Sequence, residues 1–162
     1  MKQLYFVCLF FLLTAGPAAA QVRTLQLARQ SLPALPRDFY IAQVLDCRIA
    51  KDAVGEVQTG MLNNKAATVL PNPLEQELFT FISTHHPKQD GQKPVILRVN
   101  KLWVSELTTF NTETGTAELL VDFIYKQDSA YHKLYSAAAI VSRKGIDVTK
   151  KHETNMAEAL QK

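Results

Sequence analysis

Cysteine is nearly missing from this chain. Of the two present, Cys8 lies inside an apolar N-terminal run and Cys47 stands alone in the body of the protein. A lone thiol cannot close an internal disulfide, so a core must hold the domain together even in an oxidising compartment. Cys47 ends an apolar stretch and reads as a small buried hydrophobe. Glycine is sparse: the six glycines stand singly, which excludes a Gly-rich phosphate loop. There is no Gly-x-Ser-x-Gly elbow, and no local signature surrounds Cys47. A Cys47–His152 pairing is left open, because catalytic partners meet only in the fold.

Metal-ligand spacing is lacking too. His85 and His86 are adjacent, so on a helix they diverge by about 100° and cannot face one ion as i, i+4 ligands do. Beside a helix C-terminus they fit as partners of the helix dipole when protonated. His132 and His152 lie far off, without ligands at useful spacing. Nor does charge of one sign accumulate: 18 basic residues face 15 acidic ones, and no basic run is longer than Lys150-Lys151. Nucleic acid and anionic membranes therefore have no compositional support as partners. No catalytic residue, metal ligand or cofactor is assigned.

What is present begins with a leader. Lys2 supplies a positive start, Leu4 to Leu13 an unbroken apolar run, Gly16-Pro17 a helix break, and Ala18-Ala19-Ala20 the small residues of a cleavage site before Gln21. This order is that of a cleavable secretory signal peptide over 1–20. A spanning helix needs roughly 20 apolar residues, and this run is about half as long. Without a cysteine after the cleavage site, no lipid anchor is expected. The expected product is exported and soluble, in the periplasm or outside the cell, with 17 basic and 15 acidic residues. Residues 21–37, with Pro33 and Pro36, read as a lead-in, and 38–162 as one domain of ordinary size.

Within it, Phe39 to Arg48 reads as a strand, apolar on both faces and so interior. Gly55 to Leu62 reads as a shorter second strand. A helix follows: Asn72 as N-cap, Pro73 at N1, Glu75 as a capping-box acid, and Leu74, Leu78, Phe81 and Ile82 as one apolar stripe. His85-His86-Pro87 ends it. Three strands about Val95–Glu106, Ala117–Lys126 and Tyr131–Ser142 then form hairpins. Thr149 to Gln161 is a closing helix, with Asp147 or Thr149 as its N-cap and His152 half-buried on its apolar side. The order β-(β)-α-β-β-β-α predicts an α+β fold: two layers, a mainly antiparallel sheet with two amphipathic helices on one face.

Val95, Leu97 and Val99 lie on one face of their strand, but Leu102 and Val104 are out of phase with them. A β-bulge near Asn100-Lys101 restores them to the core side and turns Trp103 away from it. On that outer face Trp103, Leu120 and Ile124, amid the apparently solvent-exposed Glu118, Asp122 and Lys126, form a candidate partner-binding surface. Asp46 and Arg48 share a strand face at i and i+2. They read either as a surface ion pair or as a fixed charge pair that orients a partner.

The leading strand ending in Asp46-x-Arg48, then Gly55, an amphipathic helix, a meander and a closing helix with Asp147-Val-Thr and Asn155 is similar in layout to auxiliary lipoproteins of bacterial ABC-type envelope transport systems. It resembles still more small secreted bacterial proteins of unassigned function. The lipoproteins carry a lipid-bearing cysteine where this chain has Gln21. The resemblance implies a non-enzymatic accessory or binding protein of the bacterial envelope, with an envelope protein as partner. The alternatives are a hydrolase-like enzyme, or a carrier of a lipid or small molecule between helices and sheet.

Overall fold

The fold is that of a computed structural model, which describes residues 21–33, 37–59 and 64–162. The expected signal peptide lies outside the described residues.

The chain opens on a short strand, β1 (Val22–Thr24), and a 3-10 turn at Leu27–Arg29. Strands β2 (Phe39–Asp46), β3 (Gly55–Thr59) and β4 (Asn64–Val69) lead to helix α1 (Leu74–His85). Three long strands follow, β5 (Lys93–Thr108), β6 (Glu113–Gln127) and β7 (Ala130–Gly145), and then helix α2 (Lys151–Ala159). They form one sheet in the order β1-β4-β3-β5-β6-β7, with β2 beside β5.

The fold is α+β, as the sequence implies, but the sheet is mixed rather than mainly antiparallel. β3–β4, β5–β6 and β6–β7 are antiparallel, whereas β1–β4, β2–β5 and β3–β5 are parallel. β4 and α1 together carry the chain from β3 to β5, a connection long enough for β5 to lie parallel to β3. β5 is long enough for two neighbours on one edge: its first half pairs with β2, and Val104 and Ser105 pair with Gly55 and Glu56 of β3. Among the described residues β2 pairs with β5 alone, so it is not interior as its two apolar faces suggest. At Gly55 a Cβ would lie 2.1 Å from the Val104 carbonyl oxygen, so only glycine permits this approach.

Two strands precede α1 beyond those expected, β1 and β4, and the lead-in is part of the domain. Leu25, Leu27 and Leu32 are buried in the same apolar cluster as Leu78, Phe81 and Met156. Leu78, Phe81 and Ile82 of α1 and Met156, Ala157 and Ala159 of α2 belong to that cluster with the inward strand residues Val99, Leu102, Val104, Leu119 and Val141, so both helices cover one face. α1 begins one residue later than its cap motif predicts. Pro73 is the N-cap without a side-chain bond, and Asn72 Nδ2 instead donates to Glu77 Oε2 at 2.8 Å.

The register of β5 and β6 shifts between Val99 and Lys101, as the phase break in the sequence requires. Leu102 and Val104 are buried, and Trp103 is on the other face, opposite Glu118.

Candidate functional site

Asp46 and Arg48 do not form a surface pair. Both are buried. Arg48 Nε donates to Asp46 Oδ1 and Nη2 to Oδ2, each at 2.9 Å, while Nη1 donates to the Ala53 carbonyl at 2.7 Å. Lys51 Nζ adds a bond to the Asp46 carbonyl at 2.8 Å. The bidentate pair thus closes the loop between β2 and β3, the two strands that share the β5 edge. Hydrogen bonding and charge from Arg48 outweigh burial and hold the Asp46 carboxyl below the usual carboxylate range.

Cys47 is exposed rather than buried. Its N–H donates to the Val99 carbonyl at 2.9 Å. His152 is wholly buried and bonds Glu106 through Nε2 at 2.9 Å. Val99 and Glu106 are seven residues apart on β5, a separation of roughly 20 Å. Cys47 and His152 are therefore not brought together. Around His152, Asn155 Nδ2 donates to the Gly115 carbonyl at 2.8 Å and Arg143 bonds Asn155. A Cβ at Gly115 would press on the imidazole at 2.9 Å. The cluster is a packed anchor for α2. Among the described residues, no group of three or more His, Cys, Asp or Glu side chains is placed to hold a metal ion.

Neither helix covers the outer sheet face. Trp103 is half-buried there, diagonally across from Leu120, which is 39% exposed; Ile140 on β7 is 66% exposed. Ile124 shares this face by the alternation of β6 but is nearly buried opposite Ile96. Asp122 separates it from Leu120 and is itself buried, contrary to its exposed appearance in sequence. Asp122 accepts from Ser136, from Arg98 Nε at 3.0 Å and Nη2 at 2.6 Å, and from Asn100 Nδ2 at 2.7 Å. These bonds, Ser136 first, and the Lys133 charge hold its carboxyl far below the usual range. Lys101–Glu118 and Lys65–Glu56 pairs match the remaining outer-face carboxylates.

The inner face contains a cavity of about 240 Å³ between the ends of α1 and α2 and the sheet. Ile41, Ile82, Leu97, Leu119, Val121 and Ala139 contribute its apolar wall. The space exists because β7 and α2 present alanines, Ala137, Ala139 and Ala159, where larger side chains would fill it. Phe39, Phe123 and Tyr135 form an aromatic run: Phe39 meets Phe123 edge-on at 5.8 Å, and Phe123 stacks on Tyr135 at 4.4 Å.

Three basic residues, Arg37, His86 and Lys162, line the cavity, and none of its lining residues is acidic. The Arg37 guanidinium lies over the Phe39 ring at 5.9 Å, and among the described residues no carboxylate is within ion-pair distance of it. Burial lowers the pKa of Arg37, a shift that leaves it charged at neutral pH. Burial, then the charges of Arg37 and His85, lower that of His86, so its ring is neutral there. His86 Nε2 is buried without a hydrogen-bond partner. The sequence places His86 at a helix end as a dipole partner; the pocket role of Arg37, His86 and the alanines has no local signal, because α1, α2 and β7 meet only in the fold.

No family model matches the chain, and no curated protein is significantly similar to it. Among solved structures, the crystal structure of a Xanthomonas campestris protein described by the family model DUF330 is similar at 13% identity. The match covers 88% of this chain and 89% of that one, with a TM-score of 0.48.

Proposed function

We propose that the protein is a non-enzymatic binding protein of the bacterial cell envelope, whose site is the cavity between the helices and the sheet. Of the sequence readings, the carrier of a small molecule gains most from the geometry. The observation that carries it is the cavity itself: an apolar space of about 240 Å³, with aromatic walls and a few convergent polar groups. Ligand sites have this make-up and span roughly 300–1,000 Å³, so the occupant is one alkyl chain or a small aromatic molecule rather than a two-chain lipid. Export, expected from residues 1–20, fits an envelope carrier. Among the described residues, no helix is long and apolar enough to cross a membrane.

N-phenyl-1-naphthylamine, a neutral dye that brightens in apolar sites, tests this reading. One dye per chain is expected, lost in Ala137→Phe, where a ring occupies the space beside Tyr135. Binding unchanged in a folded Ala137→Phe protein would overturn the cavity as the site.

A second reading places an envelope protein on the outer face, through Trp103, Leu120 and Ile124; the buried Asp46 and Arg48 take no part in it. The uncovered Leu120 and Ile140 beside Trp103 favour it. A photo-crosslinker at position 103 in living cells is expected to trap one defined partner; crosslinks to none would remove this reading.

A further inference from the structure

The charge inside the cavity is one-sided, and that asymmetry names its ligand. Resting on the cavity as the binding site, we propose that the occupant is a single-chain amphiphile with a carboxylate head, held by Arg37 and His86 with its tail against the β-sheet core. Three observations lead there. First, the lining includes Arg37, His86 and Lys162 but no acid. Of the buried carboxylates elsewhere, Asp46, Asp122 and Glu106 have the basic neighbours Arg48, Arg98 and His152, and Glu77 is hydrogen-bonded by Asn72. A partly buried cation without a counter-ion is costly unless something anionic completes it.

Second, the donors fit a carboxylate better than a dianion. Arg37 offers a planar fork suited to two parallel N–H···O bonds. His86 adds a buried Nε2 without a partner. His86, whose pKa burial and the Arg37 charge lower in the empty cavity, adds a hydrogen-bonding ring nitrogen. A dianionic phosphate would need a further cation, and Lys162 is exposed and already near Glu158, at 3.7 Å. Third, the rest of the lining is apolar, with Ile41, Leu97, Leu119 and Val121 forming a floor for a hydrocarbon tail. The Phe123–Tyr135 stack flanks it.

Decanoate and decan-1-ol share a tail and differ in the head, so calorimetric titration of both into the full chain isolates the carboxylate. Wild-type protein is expected to bind one decanoate, about ten-fold or more tighter than decanol, since a hydrogen-bonded charge pair in a sheltered site is worth at least that factor. Arg37→Met, checked for folding by its thermal melt, is expected to erase the preference while leaving decanol affinity unchanged. His86→Leu is expected to reduce it in part. Equal affinity for acid and alcohol, or a preference that survives in Arg37→Met, would overturn the carboxylate and leave the cavity as an apolar site. Binding of neither compound would overturn both.

Discussion

The outer face of the sheet and the cavity on its inner face treat charge in opposite ways. On the outer face the carboxylates Glu56, Glu118 and Asp122 each have a basic neighbour, and Asp122 collects four donor groups besides Lys133. On the inner face the cavity keeps Arg37 and His86 among apolar and aromatic walls, with no acidic lining residue. A matched charge cluster is complete within the chain and can act as structure. An unmatched one leaves an interaction open for a molecule from outside. This difference favours the cavity over the outer face as the binding site, although the outer face is the more conspicuous in sequence.

The contrast makes removal of a matched charge expensive and removal of the unmatched one nearly free. The largest loss is expected from Arg48→Met. It strands the buried Asp46 carboxylate and frees the Ala53 carbonyl, costing about 3–5 kcal/mol in urea unfolding. A loss below about 1 kcal/mol would show that the pair is not the closure of the β2–β3 loop.

Next comes Asp122→Asn, expected to cost about 1–3 kcal/mol at pH 7, because Arg98 and Lys133 lose their anion. Its folded pKa is depressed, so its contribution is full above the unfolded value of about 4 and fades as pH falls from there towards the folded one. Wild type and Asp122→Asn should therefore converge in stability as the medium is acidified below about pH 4. A constant gap through that range would mean that Asn fails for steric reasons instead.

The smallest effect is expected at Arg37. Arg37→Met removes a partly desolvated cation without an internal partner, so the stability of the empty protein should stay within about 0.5 kcal/mol of wild type, or rise. A loss as large as that of Asp122→Asn would place Arg37 among the structural charges and weaken the contrast between the faces.

Much of the layout is legible because it is local. Leu74, Leu78, Phe81 and Ile82 mark α1 by their spacing, and the phase break between Val99 and Leu102 marks the bulge that turns Trp103 outward. The parallel pairings of β2 and β3 with β5 are not legible, since they join residues separated by a helix and leave no local trace. Asp122 looks exposed because alternation shows which face a residue takes, and not what else packs on that face. Cys47 misleads in the same way: an apolar run precedes it, yet it lies past the strand end, where the chain turns out to solvent. The cavity is hardest to foresee. Its signal is an excess of alanine at Ala137 and Ala139, where a strand ordinarily carries branched or aromatic residues, and small side chains show as space only once α1 and α2 are placed above them.

The most direct test of the two-faced account is methyl and indole NMR during a decanoate titration. The inner-face reporters are the methyls of Ala139, Ile82 and Leu119; the outer-face reporters are the Trp103 indole and the Ile140 methyls. The account predicts saturable shifts in the inner set at one equivalent, with Trp103 and Ile140 unmoved. Shifts confined to Trp103 and Ile140 would contradict it and return the binding site to the open face.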